Sequence, residues 1–188
     1  MINNRYDFCI GTNKQGLQRT VTAILSEAGF HSSGVGRNIP DLLRTLRKVQ
    51  PWLTVVDTAL PPGNIAQLAD IIEEDALSAA IYINTSGADL NLYVQLTWPV
   101  ETTVLTAVAE TVCNEFAHKK KLRKEIEDLQ NKLNERKLIE RAKGILSRTY
   151  NLGENEAYQL LRKSSMKERI STAEMSAKII SDPYYFSG

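Results

Sequence analysis

Residues 100–144 read VETTVLTAVAETVCNEFAHKKKLRKEIEDLQNKLNERKLIERAKG, and nothing before the final glycine can stop a helix. The flanking prolines are Pro99 and Pro183, and no glycine falls between Gly87 and Gly144. Proline and glycine are the residues that end or loosen helices, so one helix can run through the whole stretch. At 1.5 Å of rise per residue it would be roughly 65 Å long, more than a small domain is wide. Its apolar positions change character along the way, as a shared spine with three partners requires. Leu105, Val108, Val112 and Phe116 fall at steps of three and four and suit packing on a sheet. Leu122, Ile126, Leu129 and Leu133 then step four, three and four, the a/d pattern of a coiled coil, among residues that are nearly all charged. That seam lapses at Arg136 and Glu140, where Leu138, Ala142, Ile145 and Leu146 begin a third stripe. With about two clean heptads, the seam reads as a homodimer contact, against the alternative of one long amphipathic helix packed within a monomer.

Composition bounds the rest. The 188 residues allow one or two domains, and 43% hydrophobic with 24% charged residues is ordinary for a soluble globular chain. No apolar run approaches the roughly 18 residues that span a bilayer, and no signal-peptide core opens the chain, so no membrane partner and a cytoplasmic location are expected. Cys9 and Cys113 sit in apolar patterns and suggest neither a disulfide framework nor a zinc site. The net charge of +1 hides an asymmetry. Up to Ala117 there are seven Lys or Arg against twelve Asp or Glu; beyond it there are sixteen against ten. A basic C-terminal part points to a polyanionic partner.

Ahead of the spine, strand and helix signals alternate. Tyr6–Gly11, His31–Gly36, Trp52–Asp57, Ala79–Ile83 and Leu92–Leu96 read as strands. Leu17–Ala28, a short segment after Pro40, and Ile65–Ile72 read as helices. This alternation predicts a doubly wound α/β domain with a parallel sheet. The region resembles a response-regulator receiver domain, which is flavodoxin-like in fold. Asp57 ends the third strand at the family's phosphoacceptor position, Leu60-Pro61 follows it, and Thr85 or Ser86 stands at the small-hydroxyl position.

The departures make it a pseudo-receiver. Thr12 and Asn13 stand where the family keeps an acidic pair, and Trp98 where it keeps a lysine. Thr85 to Trp98 is also too short for a full fourth helix. Mg²⁺ wants octahedral oxygen ligands with one or two carboxylates, and Asp57 between neutral neighbours offers a poor site. Without metal and lysine, little remains to offset charge on a transferred phosphoryl group. Asp57 is therefore expected to be an inactive phosphoacceptor, retained for turn or cap geometry, with no metal and no cofactor implied.

Beyond the spine, Tyr150-Asn151-Leu152-Gly153 breaks the chain and Glu156–Lys163 is helical. Ser171-Thr172-Ala173-Glu174 is a capping box that opens a last helix, with Ala173, Ala177 and Ile180 expected inward. Tyr184-Tyr185-Phe186 reads as a loosely docked tail. Arg141-Ala142-Lys143-Gly144-Ile145-Leu146, Glu156–Arg162, Ser165-Met166 and Ala177–Ile180 together resemble the ANTAR family, whose members are three-helix RNA-binding antitermination modules. Domains are accordingly expected at 1–117 (pseudo-receiver), 118–136 (coiled-coil linker helix) and 137–188 (all-α ANTAR module).

The resemblance implies a homodimeric regulator that binds hairpins in nascent mRNA and prevents terminator formation, with a regulatory sensor protein as a further possible partner. From the residues themselves, Arg141, Lys143, Arg148, Arg162, Lys163, Lys167 and Arg169 are the candidates for contacting RNA, since each could neutralise a phosphate or stack on a loop base. Tyr158 is expected in the core, Ala142 and Gly144 at a close helix approach, and Lys119–Lys124 on a solvated flank. Two readings compete with this one. Two short helices after a receiver fold also suit a DNA-binding regulator, although the segment Ser164–Ile170 is expected to be longer and more basic than a helix-turn-helix turn. A coiled-coil signalling adaptor is the other. No enzyme is expected: His31 and His118 lie in separate regions, and Gly11 and Gly16 are too sparse for a nucleotide loop.

Overall fold

The computed structural model describes residues 6–85, 87, 90 and 92–186. Five strands, β1 (Asp7–Gly11), β2 (His31–Gly36), β3 (Leu53–Asp57), β4 (Ala79–Asn84) and β5 (Gln95–Thr97), form one parallel sheet in the order β2-β1-β3-β4-β5. Side chains alternate across a strand, and here that alternation builds two cores. Phe8, Ile10, Leu53, Val55, Ala79, Ile81 and Ile83 face α1 (Gln15–Glu27) and the start of α4 (Thr102–Tyr150). Cys9, Val56 and Tyr82 face α2 (Ile39–Val49) and α3 (Ile65–Glu74). This is the receiver-like doubly wound domain expected from the sequence.

Local chemistry sets the helix starts. The Asn38 side chain accepts from the Asp41 amide at 2.8 Å, and the Asn64 side chain from the Ala66 amide at 2.9 Å. Each satisfies one of the orphan donors of a first turn. At Gly36 a Cβ would meet the Leu42 backbone at 2.4 Å, so only glycine lets β2 end this close to α2. No helix is formed between β4 and β5 among the described residues, and β5 spans three residues where five were expected. Ser86 lies outside the described residues.

The helix α4 is continuous over 49 residues and passes straight through Gly144. A Cβ at Gly144 would have nothing within 4 Å, so this glycine permits no close approach; Ala142, fully buried, is the residue that meets a neighbour. The chain divides into two compact units, residues 1–121 and 122–188. In the first, Leu105, Ala109, Val112 and Cys113 of α4 are buried against the sheet, flanked by half-buried Val108 and Phe116. Lys119 pairs with Glu73 at 3.2 Å and lies over the Tyr93 ring, while Lys120 lies over Trp52. Part of the expected solvated flank is thus tied to the α/β domain.

The second unit is all-helical. Ala142 and Leu146 of α4 pack with Ala157 and Leu161 of α5 (Glu154–Glu168) and Met175 and Ile179 of α6 (Thr172–Ser181). The capping box forms: the Glu174 amide donates to Ser171 Oγ at 3.1 Å, and Glu174 Oε2 accepts from the Ser171 amide at 2.8 Å. Three expectations are corrected. The buried face of α6 is Met175, Ser176 and Ile179; of the residues expected inward, Ile180 packs half-buried on the core and Ala173 is half-buried, but Ala177 is exposed, because Met175 and Ile179 fill the core. The helix α5 continues to Glu168, so only Arg169, Ile170 and Ser171 join it to α6, and the length of that connection no longer separates the module from a helix-turn-helix. The tail is docked: Tyr185 and Phe186 pack on the core, and the Phe186 amide donates to the Tyr150 hydroxyl at 3.2 Å.

Candidate nucleic-acid interface

Two places carry the sequence-selected residues, and their chemistry differs. The first is the pocket around Asp57, at the C-terminal end of β3 and fully buried. Thr12 donates to its Oδ2 at 3.1 Å, Thr85 donates to Oδ1, and the Ala59 amide donates to Oδ1 at 3.0 Å. The Ala59 contact is a turn formed by the aspartate on its own loop, the role expected for a retained carboxylate. The unexpected partner is Lys14, whose Nζ stands 3.2 Å from Asp57 Oδ2 and also donates to Thr85. Sequence reasoning sought a lysine at Trp98 and overlooked this one, although it lies two residues past Thr12 on the same loop. Trp98 packs against the first core.

This donor set does not fit Mg²⁺. Among the described residues bonded at this pocket Asp57 brings the one carboxylate, its side-chain partners Thr12 and Thr85 are hydroxyls, and a cation of the protein's own already stands beside it. Among the described residues no cluster of three or more His, Cys, Asp or Glu could hold a metal. Burial pushes the Asp57 pKa up, but bonds from Thr85, Ala59 and Lys14, with the Lys14 charge, outweigh it and hold the carboxyl below its ordinary value. Because the folded-state pKa is depressed, the stabilisation is present above the unfolded value of about 3.9 and is lost as pH falls through the folded value. Lys14→Met is therefore expected to cost about 1–2 kcal/mol at neutral pH, discounted because Lys14 is half exposed, and less at about pH 3, below the unfolded-state value, where the unfolded chain's carboxyl is already protonated. Denaturant titrations at the two pH values measure this, and equal losses at both would contradict it. In the wild-type protein, acetyl phosphate with Mg²⁺ is expected to leave Asp57 unlabelled in an intact-mass spectrum. A stoichiometric adduct lost in Asp57→Asn would show otherwise. Of the two buried free cysteines, Cys9 and Cys113, Cys9 has its thiol pushed up to about 12 by burial and by Asp7.

The second place is the surface of the helical unit. On α5, Ala157, Leu161 and Ser165 point inward, which turns Arg162, Lys163, Met166 and Lys167 outward. All four are exposed, as is Arg169, which caps α5 in the left-handed region at φ 57. None of these four cations makes a salt bridge among the described residues. Tyr158 is 40% exposed and one turn from Arg162, which corrects its expected core position: Ala157 and Leu161 fill the inward face, and Tyr158 falls at its edge.

The cations on α4 divide. Arg141 and Arg148 are exposed and share a helix face, seven residues apart, with Arg148 Nε bonded to the Gly144 carbonyl at 3.0 Å. Lys143 is enclosed, bridging Glu154 at 2.7 Å and Glu140 at 3.0 Å, and those bonds hold its pKa above the ordinary value. It staples α4 to the first turn of α5 and has little charge left to offer. The surface that remains combines separate cations with an exposed aromatic ring and a methionine. Such a surface can hold phosphates and stack bases.

The seam residues lie on α4 between these features. Leu122, Ile126, Leu129 and Leu133 are 57%, 54%, 57% and 52% exposed, so none of the described residues covers them.

Residues 127–180 match the ANTAR domain. The transcriptional regulatory protein PdtaR of Mycobacterium tuberculosis (strain CDC 1551 / Oshkosh) is 20% identical over 172 residues, covering 87% of this chain and 83% of that one. In fold, the α/β domain is similar to the signal receiver domain of an HD domain-containing protein from Pseudomonas fluorescens Pf-5, with TM-score 0.56, 13% identity, and 64% and 96% of the two chains covered. It is also similar to the signal receiver domain of a modulated diguanylate cyclase from Desulfovibrio desulfuricans G20, with TM-score 0.55, 19% identity, and 60% and 97% covered.

Proposed function

We propose, from the premise that this chain carries an ANTAR domain behind a receiver-like domain, that it is a transcription antitermination regulator which binds hairpins in nascent mRNA. The observation that carries the reading is the outward set Arg162, Lys163, Lys167 and Arg169 with Tyr158, all within the segment that matches the ANTAR domain. Arg141 and Arg148 extend it on α4. Guanidinium and ammonium groups neutralise phosphates, and the tyrosine ring offers a face to an unpaired base, which a hairpin loop presents and a duplex does not. Lys143 is assigned to structure, on the strength of its two salt bridges.

The regulator acts as a homodimer through Leu122, Ile126, Leu129 and Leu133. The support is an apolar a/d stripe left more than half exposed on a helix otherwise charged at that level. Two modules in one particle then engage two hairpins, and the second contact is made at high effective concentration. We assign boundaries at 1–117 for the pseudo-receiver, 118–136 for the linker helix and 137–188 for the RNA-binding module. With Asp57 neutralised by Lys14, the regulating input is contact with a sensor protein, and no phosphoryl transfer is assigned to this chain. No described helix is long and apolar enough to cross a membrane, and the mRNA target places the protein in the cytoplasm.

Crosslinking RNA to the protein in its own cells, then sequencing what is bound, tests the function. Sites should fall on hairpin loops that overlap transcription terminators. Recovery of duplex DNA in place of RNA would move the reading to a promoter-binding regulator.

A further inference from the structure

At the start of α5, on the face that also carries Lys163, lies an open recess of about 390 Å³ lined by Leu152, Asn155, Glu156, Gln159, Leu160 and Lys163. We propose that this recess receives one unpaired nucleobase of an RNA loop, whose hydrogen-bonding edge is read by the side-chain amides of Asn155 and Gln159. The proposal rests on the RNA-binding reading above and adds a base-specific subsite to it.

The chemistry of the lining selects a base over a phosphate. Its floor is apolar, because Leu152 and Leu160 are half-buried and belong to the core that α4, α5 and α6 share. A floor fixed in that way offers an apolar face to an aromatic heterocycle. Its charge balances: Lys163 brings one positive group and Glu156 one negative. The Glu156 carboxylate is turned to the start of the helix, where Oε2 accepts from the Gly153 amide at 2.8 Å. A site without net charge gives a phosphate no advantage, whereas Arg162, Lys167 and Arg169 outside the recess do.

The rim supplies the reading groups. Asn155 and Gln159 are exposed, one helical turn apart, and neither amide has a hydrogen-bond partner among the described residues. Each amide holds a donor and an acceptor side by side, the arrangement that pairs bidentately with a base edge. The volume lies in the lower part of the range of about 300–1,000 Å³ typical of ligand pockets, which suits a single base. Lys163 at the mouth is placed to meet the phosphate of the captured nucleotide.

The test uses the full-length protein and a hairpin RNA selected by it from a pool with a randomised loop. Each loop position of the selected hairpin is then made abasic in turn. One position is expected to matter, with a loss of roughly 5- to 150-fold in wild-type affinity. The double variant Asn155→Ala, Gln159→Ala should bind the intact hairpin more weakly and be indifferent to that same abasic change. Its salt dependence should match the wild type, since no charge is removed, and its helix content should hold, since alanine favours helices. A double variant that keeps the full abasic penalty would overturn the subsite while leaving RNA binding in place. A wild type indifferent to every abasic position would overturn it equally. If the wild type enriches no hairpin, the RNA-binding reading fails and this subsite with it.

Discussion

Replacing Arg162 and Lys163 together by Ala is expected to weaken hairpin RNA binding about 25-fold at ~0.1 M salt and to flatten its salt dependence by about 1.4 log units per log unit of salt. Both figures have one origin. Each phosphate neutralised on a single strand releases condensed counterions and contributes a log–log slope of about −0.7. At ~0.1 M salt that is worth roughly a factor of five per contact, and two contacts multiply. Both side chains are exposed and face away from the module's core, so their loss leaves Ala142, Leu146, Ala157, Leu161, Met175 and Ile179 packed as before. Circular dichroism of the variant should therefore match the wild type. If binding falls only together with helix content, the two residues are structural. If affinity and slope both stay put, the RNA surface lies on α4 around Arg141 and Arg148.

The second large effect is on assembly. Leu129→Lys is expected to turn the dimer into a monomer, with the dissociation constant rising by roughly 10²–10⁴. A leucine side chain buried in a seam contributes about 1.5–3 kcal/mol, each dimer loses two, and two ammonium groups arrive in their place. Sedimentation across a concentration series reads this directly. The same variant should lose the avidity gained on tandem hairpins, of order 10²–10⁴, while holding a single hairpin as the wild type does. An unchanged dimer would place the contact elsewhere, on the α/β domain.

Much of this protein was legible in its sequence, for physical reasons that can be named. The parallel sheet was readable because β1, β3 and β4 are apolar runs that fill two cores at once, and because Asn, Gly and Pro punctuate them. The long helix was readable from the absence of breakers over 100–144, and Gly144 did not break it, since i→i−4 bonds on either side hold one glycine at a cost of about 1 kcal/mol. The inward face of α6 was misread because alanine periodicity looked like a core stripe, while Met175 and Ile179 carry the volume. Lys14 was missed for another reason. Its link to Asp57 and Thr85 spans three loops, and no local pattern in one chain announces a contact between residues 14, 57 and 85. Lys143 shows the converse: its spacing suggested a free cation, and only the fold brings Glu154 back to claim it. Asn155 and Gln159 had no signal of their own, being polar residues on the outside of a helix.

The most direct measurement sets hairpin RNA against duplex DNA. A labelled hairpin from the in-cell crosslinks, bound to the full-length wild-type protein, is challenged with unlabelled hairpin RNA and with duplex DNA of the same sequence at a fixed, stated salt concentration. Displacement by the RNA at concentrations at least tenfold below those needed for the DNA is the predicted result. Equal displacement by both, or preference for the duplex, would contradict a module that reads unpaired loop bases.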